Sequence, residues 1–149
     1  MNKKELISWL AVILWLVVIF LFSAQPAYKS ADLSKGLAEI IVKIVKKISP
    51  NTTINLSVLN HYLRKTAHFF LYLVLGILVM NVLRVVGVRK EKRFVVALLV
   101  CVLSATIDEF HQLFVPGRGG QIKDVVLDSI GALVGISIYW LRQNKKSNN

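Results

Sequence analysis

Acidic residues and cysteine are scarce in this chain. Of 149 residues only eight are Asp or Glu, against 19 Lys and Arg, giving a net charge of +11. A lone cysteine, Cys101, has no partner for an internal disulfide, which excludes a disulfide-stapled scaffold. It lies in an apolar run and reads as a small packing residue. No internal repeat is evident, and the length fits one domain. An excess of base can mark a nucleic-acid binder. Here most of the basic residues flank apolar blocks, where a membrane accounts for them, so no nucleic-acid partner is expected.

What the chain has in abundance is apolar sequence, 55% of its residues. A soluble helical domain mixes apolar and polar residues along each helix. In this chain the apolar residues come as long blocks between charge clusters, the pattern of membrane spans. The first block runs from Leu6 to Phe22, and no charge interrupts the sequence between Glu5 and Lys29. Lys3 and Lys4 resemble the start of a signal peptide. The apolar stretch is long, however, and no small-residue cleavage site follows in Leu21-Phe22-Ser23-Ala24-Gln25-Pro26, so an uncleaved anchor is expected. The second block runs from Thr66 to Leu83. The third, Phe94 to Ile107, offers 14 uncharged residues, about 21 Å of helix and short of a full crossing. The fourth, Ser129 to Leu141, is shorter still. Both short blocks reach full length only by taking in charge. The third must continue through Asp108, Glu109 and His111, and the fourth must begin near Lys123 or Asp124 and include Asp128. The fold expected is an all-α integral membrane protein, one domain over residues 1–149, with four transmembrane helices near 6–23, 65–84, 94–114 and 124–141.

Between the first two spans lies a connector with a pattern of its own. Leu33, Leu37, Ile40, Ile41, Ile44, Val45 and Ile48 recur at steps of three and four, while Lys35, Glu39, Lys43, Lys46 and Lys47 cover the other face. The spacing predicts an amphipathic helix over about 32–48, with Asp32 or Ser34 as cap and Pro50 beyond its end. Such a basic helix beside an anchor is expected to lie in the membrane interface; packing on the protein's own helices is the alternative. Orientation comes from density of charge rather than number, since short loops near span ends carry the signal. Arg84, Arg89, Lys90, Lys92 and Arg93 crowd one loop, which places that loop and both termini in the cytoplasm and the amphipathic helix outside.

With that topology the unusual polar residues gather on the extracytoplasmic side. Ser23 and Gln25 end the first span. Arg64, Lys65, His68 and Tyr72 open the second, and Arg64, His68 and Tyr72 share one helix face. Asp108, Glu109, His111 and Gln112 close the third. Next comes a turn, Phe114 to Gly120, which holds Arg118. Asp124 and Asp128 open the fourth, ahead of Gly131 and Gly135 in a spacing that permits close helix approach. Charge at such depth costs free energy unless it is paired or lines a wet cavity, so the default reading is a functional one.

These stretches also resemble the VanZ-like family. The resemblance lies in Phe22-Ser23-Ala24-Gln25, in Arg64-Lys65-Thr66-Ala67-His68-Phe69 with Tyr72 and Leu75-Gly76, and in the run from Asp108 to Arg118, extended by Asp124, Gly131 and Gly135. It covers nearly the whole chain. Where that family often has Asn, this chain has Asp128. The family is named for a membrane protein linked to teicoplanin resistance, so the resemblance implies a cell-envelope location and reduced glycopeptide susceptibility, without supplying a reaction.

The polar cluster admits three readings. In one it is a site for an anionic head group or another envelope ligand related to glycopeptide action. Arg64, Lys65 and Arg118 would hold the group, helped by Gln112, Asp124, Ser23, Gln25 and Tyr72. In a second, an intramembrane enzyme uses His68 or His111 for proton transfer, with Asp108 or Glu109 as the acid. A divalent cation among Asp108, Glu109, His111 and Asp124 is a variant of it, though the spacing matches no standard zinc motif. In the third, four acids (Asp108, Glu109, Asp124, Asp128) and four bases (Arg64, Lys65, Arg118, Lys123) merely pair and fix helix register, in a structural or partner-binding protein. The residues identify no cofactor and no oligomeric state.

Overall fold

A computed structural model describes residues 1–48 and 55–147, apart from the side chains of 31–34, 146 and 147. It consists of five helices, α1 (Lys3–Ser23), α2 (Ala27–Ile48), α3 (Leu56–Val85), α4 (Lys90–Gln112) and α5 (Ile122–Ser147), with no strand among the described residues. All but α2 are long and apolar enough to cross a membrane. α1 starts where Asn2 accepts from the Glu5 N–H and the Glu5 carboxylate returns to the Asn2 backbone, a reciprocal cap. The apolar block of the second span lies inside a longer helix. α3 begins at Leu56, where the Asn55 side chain accepts from the N–H groups of Ser57 and Val58. Its 30 residues extend about 45 Å, more than a hydrocarbon core needs, so its polar first turns reach past the apolar block.

α3 is the central helix. Tyr72, Leu75, Val79, Met80 and Val82 are buried against Val12 and Ile19 of α1, Ala97, Cys101 and Ala105 of α4, and Ala132 and Ile136 of α5. Cys101 is thus the small core residue its surroundings imply. The Trp15 indole N–H donates to the Leu71 carbonyl at 2.8 Å and ties α1 to α3. The closest approach is between α3 and α5. A Cβ on Gly131 would overlap the Phe69 carbonyl, and one on Gly135 the Leu73 carbonyl. Only glycine lets the two backbones meet there. That contact sets the register between Asp128 and His68, because Asp128 lies one turn from Gly131 and His68 is the neighbour of Phe69.

Apolar side chains also cover much of the outer surface. Ile13, Leu14, Val17 and Leu21 of α1, Leu99, Leu103 and Ile107 of α4, and Val126 and Ile130 of α5 are all exposed. On a water-soluble monomer such a surface would be far too large; on a membrane bundle it is the lipid contact.

α2 starts at Ala27, earlier than the apolar spacing implied. Positions 32 and 34 therefore lie within the helix rather than at its start, and Pro50 lies outside the described residues. Pro26 marks the start, since proline is tolerated where a helix has no carbonyl to offer its missing N–H, and its carbonyl accepts from the Ser30 N–H. The Ala27 N–H donates to the Pro116 carbonyl at 3.3 Å, which anchors α2 to the loop between α4 and α5. That loop turns at Gly117, whose φ of 74° is left-handed backbone. α2 packs on the protein's own helices along one face and leaves another face uncovered. Ala38 is fully buried and Ile41, Val42 and Val45 are half-buried, while Leu37, Ile40, Ile44 and Ile48 remain exposed.

Candidate functional site

The chain alternates direction through the bundle, so the C-terminal ends of α1 and α4 meet the N-terminal halves of α3 and α5. Ser23 is the last residue of α1 and is fully buried. Its hydroxyl donates to Asp108 Oδ2 at 2.7 Å and accepts from Gln112 Nε2 at 2.8 Å. The same Gln112 nitrogen reaches Asp108 Oδ2 at 3.3 Å and Glu109 Oε1 at 3.2 Å. Glu109 Oε2 accepts from the Gln121 N–H at 2.9 Å, so the carboxylate also fixes the entry to α5. Asp108, Glu109 and Gln112 are all buried, and each is placed by spacing of three or four on one face of α4.

Beside this knot, α3 and α5 contribute His68, Tyr72 and Asp128. Asp128 is 1% exposed, and neither of its carboxylate oxygens has a hydrogen-bond partner. The His68 Nδ1 stands 3.6 Å from Asp128 Oδ2, beyond hydrogen-bond reach. One nitrogen of His68 and one oxygen from each of Asp108 and Asp128 lie within 4.8 Å of one another. The Tyr72 hydroxyl is fully buried and also unpartnered.

The charges are mostly not matched by opposite ones. At this end of the bundle only Lys65 and Asp124, 2.5 Å apart, and His68 and Asp128 approach as ion pairs among the described residues. Lys123 is exposed. Arg64 and Arg118 have no carboxylate within bridging distance among the described residues. Arg118 donates to the Phe22 carbonyl at 3.2 Å through Nη2, while its Nε and Nη1 are buried without a partner. Burial first, and then the nearby Arg64 guanidinium, push its pKa down. Both arginines, with Gln25 and His68, line a cavity of about 190 Å³ whose remaining walls include Phe22, Leu37, Leu63 and Leu71.

The structure separates the two histidines. His68 belongs to the arginine cavity, whereas His111 packs against Phe20 with the rings tilted and their centroids 4.7 Å apart, and lines a second cavity of about 380 Å³ with Leu16, Tyr72, Ser104 and Asp108. The cation set suggested by Asp108, Glu109, His111 and Asp124 is not assembled. Asp124 is taken by Lys65, Glu109 by Gln112 and Gln121, and His111 faces the other cavity. Asp128 stands in their place. Its spacing from Asp124 put it on the same helix face, but nothing in the sequence showed that this face meets His68.

No curated protein and no solved structure is significantly similar to the chain. A family model described as VanZ/LLP1 matches residues 8–143, a stretch that contains α2 and every polar residue of the site. Four apolar helices, a buried polar end and this match together assign the protein to the VanZ/LLP1 family.

Proposed function

We propose that this VanZ-like membrane protein holds the anionic head group of an envelope lipid between Arg64 and Arg118, and that this lowers the cell's susceptibility to glycopeptides such as teicoplanin. The observation carrying the reading is the pair of guanidinium groups with no carboxylate within bridging distance among the described residues, two nitrogens of one being buried and unpartnered. Such nitrogens cost free energy until an acceptor reaches them, and a phosphate oxygen pair fits the planar fork. The apolar walls of the same cavity suit the acyl portion of an amphiphile. The effect on glycopeptides rests on family likeness. The site end is outside the cell and both termini are cytoplasmic in this reading, which the dense basic loop around Arg89 and Arg93 supports.

Enzymatic turnover of the bound head group is the second reading. It is favoured by the imidazole of His68 beside a buried carboxylate, the arrangement of a general base and its orienting acid. His68, rather than His111, is the base in that case.

The test is teicoplanin susceptibility of a sensitive host expressing each variant, with membrane protein quantified in parallel. Arg64→Lys and Arg118→Lys keep charge and remove the fork; both are expected to lose protection at unchanged abundance, as are His68→Gln, Asp108→Asn and Glu109→Gln. Protection equal to the parent's at equal abundance would remove the reading. Loss of the protein itself in every variant would leave a structural role for the cluster.

A further inference from the structure

We propose that His68, Asp108 and Asp128 form a binding site for one divalent transition-metal ion at the junction of α3, α4 and α5. The three residues offer one nitrogen and two carboxylate oxygens within 4.8 Å of one another, and all three are buried. Imidazole with carboxylate is a donor set that first-row divalent ions such as Mn(II), Fe(II) and Zn(II) accept, and three protein ligands leave positions open.

Two further observations point to a ligand. Asp128 is among the most deeply buried side chains in the molecule, yet both of its oxygens lack a hydrogen-bond donor. Buried carboxylate oxygens normally have at least one hydrogen-bond partner. Next to it the Tyr72 hydroxyl, one turn from His68 on the same face of α3, is fully buried and unpartnered, and it shares a cavity wall with Asp108. Nearby Lys65 is engaged with Asp124, and neither Arg64 nor Arg118 bridges to either aspartate among the described residues. Two carboxylates this close, which neither Lys65 nor an arginine bridges and which His68 approaches only to 3.6 Å, are favoured by a cation held between them. Ser23 and Gln112 both bind Asp108 through Oδ2, and so hold that carboxylate in place as supporting groups of a metal site do. A proton shared between the aspartates is the rival arrangement.

The experiment uses the full-length protein purified in detergent micelles and titrated with Mn(II), without added lipid, so its result is independent of the head-group reading. Electron paramagnetic resonance should show one saturable Mn(II) per chain, with hyperfine coupling to a directly bonded nitrogen that disappears in His68→Gln. Asp108→Asn and Asp128→Asn should each weaken binding by about tenfold or more, while Asp124→Asn, whose carboxylate serves Lys65, keeps the affinity. Zn(II) should displace the bound Mn(II) competitively. The wild-type spectra decide the matter even where a variant fails to fold. Absence of saturable binding would overturn the site in favour of a shared proton. Binding without a coordinated nitrogen, or lost equally in Asp124→Asn, would overturn it as diffuse attraction to an acidic end.

Discussion

At position 23 a hydroxyl does what an apolar residue ending a span could not. It donates to Asp108 and accepts from Gln112, and it fixes the end of α1 to the end of α4. Ser23→Ala removes that link and leaves a buried carboxylate with fewer donors. The protein should lose about 1–3 kcal/mol of stability, read as a lower unfolding midpoint in micelles; an unchanged midpoint would show that the bond does not hold the helices. Arg64→Lys should leave the same midpoint unmoved, because Arg64 bridges to no carboxylate among the described residues. The sequence disclosed the chemistry of individual residues better than their neighbours. Asp108, Glu109 and Gln112 could be grouped by helix spacing alone. The opposite orientations of His68 and His111 could not, because they depend on how α1 packs against α3 and α4, and periodicity carries no information about which helix a face meets. Asp128 stood in the same pattern as Asp124, yet one is salt-bridged near the surface and the other sealed inside.

Among the helices, α3 and α5 set the geometry of the polar end. Gly131→Leu would drive a side chain into the Phe69 carbonyl and separate Asp128 from His68, whereas Gly119 has no neighbour within 4 Å of an added Cβ. Gly131→Leu should cost about 1–3 kcal/mol or more through overpacking, with folded protein lost from a size-exclusion profile, while Gly119→Ala elutes as the parent does. The Gly131 and Gly135 spacing made this contact legible in the sequence. The start of α2 was missed for a local reason: apolar periodicity begins at Leu33, while the chain enters the helix after Pro26. α2 itself packs Ala38 inward and leaves Leu37, Ile40, Ile44 and Ile48 uncovered. A stripe of that kind beside a bundle that meets lipid is suited to the interface. Ile40→Asn with Ile44→Asn should release the segment to protease in reconstituted vesicles while the four spans remain protected. Unchanged protection would mean that Ala38 and its neighbours hold α2 by protein contacts alone.

For the molecule as a whole, hydropathy made the four spans legible because the bilayer imposes one constraint on all of them. It also located the polar end, since two blocks too short to cross had to recruit Asp108, Glu109 and Asp128. Orientation across the membrane rests on loop charge. In a Cys101→Ser background, Ser57→Cys and Gly119→Cys should react with an impermeant thiol reagent on intact cells and Arg89→Cys only after lysis; the reverse would place the site end in the cytoplasm. That this end of the bundle receives an anionic head group is tested most directly by native mass spectrometry of the protein released from bilayers of mixed phosphatidylglycerol and phosphatidylcholine. The wild type should retain the anionic lipid with a preference of about tenfold, and the preference should vanish in Arg64→Ala with Arg118→Ala. Equal retention of both lipids by the wild type, or an undiminished preference in the double variant, would contradict head-group binding between the two arginines.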